Sequence, residues 1–239
     1  MLKPFKFKQF TIEQNNCAMK IGTDGVLLGS WVKPEIIPNT ILDVGTGTGI
    51  IALMLAQRFA SAEIEAIEID PDAYEQAVSN FENSPWGDRM FCYHASFQEF
   101  FQEMDETYDL IISNPPYFSA TQKSTNEQRN TARFEDALPF EHLLYGASKL
   151  LSENGPAAFI VPFDQEEKII MIAKQMHLFP VKITRVRGNA TAEIKRSLLE
   201  LQFTSPVREI SCNELILEKE RHQYTETYTA MVKDFYLKL

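Results

Sequence analysis

The stretch of this 239-residue chain richest in chemical possibility is SNPPYF, Ser113 to Phe118, which ends the apolar run YDLIISNPPYF. Two consecutive prolines stop a hydrogen-bonded strand, because proline has no amide hydrogen and its ring fixes φ. A residue before a proline is pushed to extended geometry, so Asn114 is held where the strand ends. The Asn114 side-chain oxygen and the Pro115 carbonyl then form two acceptors on a stiff arm, and Pro116 restricts the next turn. Two fixed acceptors suit an NH2 group. A conjugated amine is a poor nucleophile, since its lone pair is delocalised into the ring. Drawing its hydrogens out of plane favours the tetrahedral nitrogen that attacks a methyl group, without a strong general base. Tyr117 offers a flat ring for stacking, worth roughly 1 to 3 kcal/mol against a nucleic-acid base.

A second cluster, LDVGTGTGIIAL, places Asp43, Gly45, Thr46, Gly47 and Gly49 between an apolar run and a helical pattern. Glycines there let the backbone turn sharply and approach a ligand, and the helix start offers free amides. A dinucleotide fingerprint counted from Gly45 needs a glycine where Ile50 stands, so the spacing is G-x-G-x-G instead. Glu68 closes the next apolar run, AEIEAIEID, where an acid accepts hydrogen bonds from both hydroxyls of a ribose.

The elements that must position these groups alternate. TILDV, AEIEAIEI, MFCYH, YDLIIS and AAFIVP read as strands; GIIALMLAQRF, PDAYEQAVSNF, PFEHLLYGASKLL and QEEKIIMIAKQM read as helices, the second capped by Asp70 with Pro71 in its first turn. Such alternation predicts an α/β fold with a parallel sheet. Later, VKITRVR and SLLELQFT predict a strand pair that adds an antiparallel strand, and YTETYTAMVKDFYLKL predicts a closing helix with Thr225 near its start.

Composition narrows the classes. The chain is 44% hydrophobic and 23% charged, enough for one large core. No apolar run reaches the ~18 to 20 residues of a membrane helix, and MLKPFKFKQF lacks the apolar stretch of a signal peptide, so a cytoplasmic protein without a membrane partner is expected. Cys17, Cys92 and Cys212 stand apart and the four histidines are scattered, so no metal site is expected. The net charge of −10 argues at first sight against nucleic acid. Its distribution leaves room for a local basic face, with ordinary solvated strand ends as the plainer reading: Lys3, Lys6, Lys8 and Lys20 cluster early, and Lys182, Arg185, Arg187, Lys195 and Arg196 cluster late. A polar loop over 119–136 carries Arg129 and Arg133, candidates for phosphate contacts beside the NPPY strand.

LDVGTGTG with an acid at the next strand end resembles the S-adenosylmethionine site of class I methyltransferases. The resemblance implies a Rossmann-like, seven-stranded, mostly parallel sheet with one antiparallel strand and helices on both faces. It implies that Gly45, Thr46, Gly47 and Gly49 pass the methionine part, that Glu68 holds the ribose, and that Ser96 and Phe97 meet the adenine. Asp43, Ile69 and Asn114 complete the implied set. Many relatives carry an acid where this chain has Ser96. NPPY resembles the motif of enzymes that methylate adenine, the guanine amine or a glutamine amide.

Three substrates follow. Too little chain lies beyond 40–205 for a sizeable DNA reader, and 39 preceding residues cannot build the helical domain usual in glutamine methyltransferases. An RNA loop base is cheaper to splay out than a duplex base. Phe7 to Val32, FKQFTIEQNNCAMKIGTDGVLLGSWV, together with NPPYF and the closing DFYLKL, resembles the bacterial transfer-RNA adenine methyltransferases, which act on the adenine beside the anticodon of a valine transfer RNA. The match implies one domain over 1–239, with a covering segment at 1–39, a core at 40–205 and a strand and helix at 206–239. It also implies that Thr23 and Asp24 face the cofactor pocket; from the charge clusters, Lys20, Lys195 and Arg196 are expected to join the RNA contacts, and the expected partner is a tRNA anticodon loop met by a monomer. A guanine-amine enzyme of ribosomal RNA, a release-factor glutamine enzyme and a non-catalytic RNA-binding module stand as alternatives.

Overall fold

The computed structural model describes residues 3–116, 138–204 and 210–238. Tyr117, Phe118, Arg129 and Arg133, together with the rest of the polar loop, lie outside the described residues.

Five strands build the parallel part: β3 (Thr40–Val44), β4 (Glu63–Glu68), β5 (Met90–His94), β6 (Leu110–Ser113) and β7 (Ala157–Pro162). Then follow β8 (Phe179–Asn189) and β9 (Ile194–Gln202), with β9 antiparallel to both β7 and β8. These seven match the expected sheet. Two more extend it: β10 (Ser211–Glu220) lies parallel to β8, and β11 (Gln223–Tyr224) turns back on β10, giving the order β11-β10-β8-β9-β7-β6-β3-β4-β5. A separate ribbon joins β1 (Phe5–Lys6) to β2 (Thr11–Ile12).

Alternation along each strand sends neighbours to opposite faces. Ile41, Ile64, Ile112 and Ile160 meet helices α1 (Thr23–Trp31), α2 (Ile50–Arg58), α3 (Pro71–Glu82) and α7 (Glu226–Val232) on one face. Leu42, Ile67, Ile111 and Phe159 meet α4 (Phe97–Glu103), α5 (Phe140–Leu150) and α6 (Glu166–Gln175) on the other. Local signals set the helix starts. Asp70 accepts from the Ala73 amide with Pro71 at the first turn, Ser96 and Glu99 form a reciprocal capping box, and Thr225 accepts from the Tyr228 amide.

The segment expected to cover the pocket divides in two. From Thr23 onward it is α1, packed so closely on α2 that a Cβ on Gly25 would lie 3.2 Å from Ile50 Cγ2. A side chain there would make Ile50 give way by a few tenths of an ångström. Among the described residues, no helix is long and apolar enough to cross a membrane.

Candidate functional site

A cavity of about 640 Å³ opens at the carboxyl ends of β3, β4 and β6. That size lies within the ~300 to 1,000 Å³ usual for small-molecule sites, and the position is where open α/β sheets bind ligands.

Its floor is the glycine turn. Gly45, Gly47 and Gly49 all have positive φ, at 71°, 57° and 79°. Among the described residues nothing lies within 4 Å of a Cβ built on Gly45 or Gly47, so their backbone is bare towards a ligand. A Cβ on Gly49 would come 2.5 Å from Phe81 Cε1, so the third glycine answers to packing. The amides of Gly45 and Thr46 both donate to the Ile67 carbonyl, at 2.9 and 3.1 Å, and so fix the turn to β4.

Glu68 stands over this floor, 8% exposed. Its Oε2 accepts from the Gly47 amide at 2.8 Å, and its Oε1 accepts from the amides of Ile69 and Asp70, each at 3.0 Å. The carboxylate is thus fixed towards the cavity by three backbone donors. Each carboxylate oxygen has two acceptor sites, so Oε2 keeps one for a ligand hydroxyl. Ile69, Ser96 and Phe97 continue the wall.

Asp43 works from behind the turn and is absent from the cavity wall. It is fully buried; its Oδ2 accepts from Thr46 Oγ1 at 2.6 Å and from the Ala52 amide at 3.2 Å, and its Oδ1 has no partner among the described residues. Burial pushes its carboxyl up to about 7, against the pull of the Thr46 and Ala52 donors.

At the end of β6 the Ser113 hydroxyl donates to the Val44 carbonyl at 2.7 Å, which ties the NPPY strand to the strand carrying the glycine turn. Asn114, half-buried, and Pro115 and Pro116 line the same cavity as Glu68. The structure therefore brings the two sequence clusters together around one space.

Several other expected contacts fall elsewhere. Thr23 and Asp24 begin α1 outside the wall, where Gly22 and Gly25 line the cavity instead. Asp24 Oδ2 pairs at 2.9 Å with Nε of Arg196, an expected RNA contact, because β9 passes the start of α1. Lys20 lines the cavity, but its Nζ donates to the carbonyls of Gln14 and Cys17, each at 2.6 Å, rather than extending outward. The late basic cluster is largely paired: Arg185 with Glu166, Arg187 with Glu214, and Lys182 over the Trp31 ring at 4.0 Å. Lys195 is exposed. Ser96 is engaged by its own cap, donating to Glu99 at 2.7 Å.

Two parts of the wall are not singled out residue by residue in the sequence. Cys17, Ala18 and Met19 line it, and burial raises the Cys17 thiol to about 11, which leaves it a small apolar contact. Gln98 and His142 line it as well, with Gln98 Nε2 and His142 Nδ1 3.0 Å apart. A polar pair on two separate helix starts could be found only by knowing that α4 and α5 meet.

Comparison with known proteins adds a frame. Residues 18–168 match the model of the methyltransferase small domain. The chain is 58% identical to a tRNA1(Val) (adenine(37)-N6)-methyltransferase of Christiangramia forsetii, over 99% of each chain. It is 55% identical to the protein of the same name in Flavobacterium johnsoniae, over 98% of this chain and all of that one. Among solved structures it resembles one described as a predicted O-methyltransferase from Agrobacterium tumefaciens, with a TM-score of 0.68 at 20% identity, covering 89% of this chain and 96% of that one. That likeness is one of fold.

Proposed function

The chain belongs to the tRNA1(Val) (adenine(37)-N6)-methyltransferase family, within the methyltransferase small domain proteins, and from that premise we propose that it methylates N6 of an adenine in transfer RNA, beside the anticodon of a valine tRNA, in the cytoplasm. The observation that carries this reading is the shared cavity: Glu68, the bare Gly45 and Gly47 backbone, and Asn114 with Pro115 all line it.

The residues fit S-adenosylmethionine. Among the described residues, open space over Gly45 and Gly47 admits a close backbone contact, Glu68 Oε2 retains acceptor capacity for a ribose hydroxyl, and Ile69 and Phe97 offer apolar surface to a purine. When bound, the cofactor supplies a sulfonium methyl: the new N–C bond takes the amine lone pair, the S–C pair stays on sulfur, and one N–H proton leaves to water.

The protein's part is positioning and polarisation. Asn114 and the Pro115 carbonyl accept the two amine hydrogens, which localises the nitrogen lone pair towards the methyl. Acceptors suffice because the proton departs after the nitrogen has become cationic and acidic. Stacking on the base falls to Tyr117 by its place in the NPPY motif, and the exposed Lys195 offers a cation to backbone phosphate.

Incubation with labelled cofactor and separate pools of transfer RNA, ribosomal RNA, DNA and release factors tests the reading. N6-methyladenosine in the digested transfer RNA is the expected product. Label in glutamine, in guanine or in no RNA would overturn it.

A further inference from the structure

Helix α3 carries two buried amides, Gln76 and Asn80, on a face otherwise made of Ala73, Ala77 and Phe81. Amides one turn apart on an apolar face are costly to bury unless they bond something definite. Asn80 is 2% exposed and uses both hydrogens and its oxygen. Its Oδ1 accepts from the Glu13 amide, its Nδ2 donates to the Glu13 carbonyl, and its Nδ2 donates again to the Thr48 carbonyl, each at 2.9 Å. One turn earlier, Gln76 Oε1 accepts from the Asn16 amide at 3.5 Å.

The partners of Asn80 belong to two separate stretches of chain at the cavity. Thr48 lies in the glycine turn between Gly47 and Gly49 and lines the cavity. Glu13 leads into the segment whose Cys17, Met19 and Ile21 also line it. That segment is closed on itself, with the Ile21 amide donating to Gln14 Oε1 at 3.0 Å and Lys20 donating to the Gln14 and Cys17 carbonyls. Asn80 therefore attaches a preformed loop to the floor. No other side chain of this length serves, since the position needs an acceptor for one N–H and two donors for two carbonyls.

We propose that Asn80 is a positioning residue for cofactor binding: by bonding Thr48 and Glu13 at once, it sets the gap between the glycine turn and the wall at 17–22. This rests on the reading of the cavity as a cofactor site. A loosened wall lowers the fraction of protein in the binding-competent arrangement, so affinity falls while the chemical step, carried by Asn114 across the cavity, is spared.

The test uses the whole protein with S-adenosylhomocysteine as calorimetric probe, and amide exchange over residues 13–21. Asn80→Ala is expected to raise Kd and the KM for S-adenosylmethionine about tenfold, a loss near 1.4 kcal/mol, with kcat at saturating cofactor within twofold. Asn80→Asp has the same shape but sets a carboxylate against two carbonyls, so its loss is expected to equal or exceed that of Ala. Exchange at 13–21 quickens in both. Thr225→Ala, which removes a distant cap on α7, should melt earlier yet bind the probe as wild type does. A folded N80A with unchanged Kd and unchanged exchange at 13–21 overturns the role. If N80A does not fold, N80S takes its place, and wild-type affinity in that variant overturns the role equally. Failure of the wild type to bind the probe overturns the cofactor reading itself, and this inference with it.

Discussion

The Gly47 amide donates a 2.8 Å hydrogen bond to Glu68 Oε2, which makes the middle of the glycine turn and the acid of the next strand one rigid unit. Glu68→Gln keeps an oxygen for the Ile69 and Asp70 amides but turns an NH2 towards Gly47 N–H, donor against donor. A hydrogen bond to a charged group is worth about 1.5 to 3 kcal/mol, so E68Q should weaken S-adenosylhomocysteine binding by at least tenfold in calorimetry. Wild-type affinity in E68Q would remove the acid from the ligand's contacts.

Gly49→Ala should unfold at lower denaturant. At φ +79° a side chain strains the backbone, and the new methyl would sit 2.5 Å from the Phe81 ring. Strain of about 1 to 2 kcal/mol and overpacking of about 1 to 3 kcal/mol add. Adding Phe81→Leu should recover part of the packing loss and none of the backbone strain, a split that urea titration of the single and double variants resolves.

Burial holds the Asp43 carboxyl near 7, above the ~3.9 of an unfolded chain. The folded state therefore binds this proton more tightly than the unfolded one. Its favourable contribution is fully present below about pH 4 and is lost as pH rises through about 7. Between about pH 5 and pH 8 the urea midpoint of Asp43→Asn should fall less steeply than that of wild type. Parallel profiles would assign the pH dependence to other groups.

The ion pair between Asp24 and Arg196 changes what the basic clusters are expected to do. Lys195→Ala should lower the salt slope of RNA binding by about 0.7, the value for one single-strand phosphate contact. Arg196→Ala should lower it less, because Asp24 already compensates that charge. Asp24→Asn should steepen it. Equal slopes in all four proteins would move the RNA contact away from this corner.

The strands β3, β5 and β7 begin and end where their apolar runs do, and Asp70–Pro71 starts α3 where the cap pattern put it. Those signals are local, so they survive in a bare sequence. The pairing of Arg185, Arg187 and Arg196 is not local, since each partner comes from another element, and charge counted along the chain mistakes them for a free face. The Cys17–Ile21 wall falls in the segment expected to cover the pocket, but which of its residues would line the cavity is not legible for the same reason: its place depends on Asn80, 67 residues away from the Glu13 it holds. Asp43 shows the converse, a motif residue expected at the cofactor that braces the turn from behind and is absent from the cavity wall.

Asn114 offers the most direct test of the chemistry. Ser113 anchors the strand end through its 2.7 Å bond to the Val44 carbonyl, so Asn114→Ala should leave the backbone course and the Pro115 carbonyl in place. The variant then loses one of two acceptors for the amine, while the glycine turn and Glu68 remain. Loss of one preorganised transition-state partner costs about 10²- to 10³-fold in turnover. Cofactor affinity, measured by calorimetry, should stay within a few-fold of wild type, so kcat falls and the cofactor KM does not follow. Asn114→Asp keeps an acceptor and adds a charge, and should retain more activity than Ala if accepting the amine hydrogens is the role. Turnover near wild type in N114A, measured with the same transfer RNA, would show that the amine is activated by some other group.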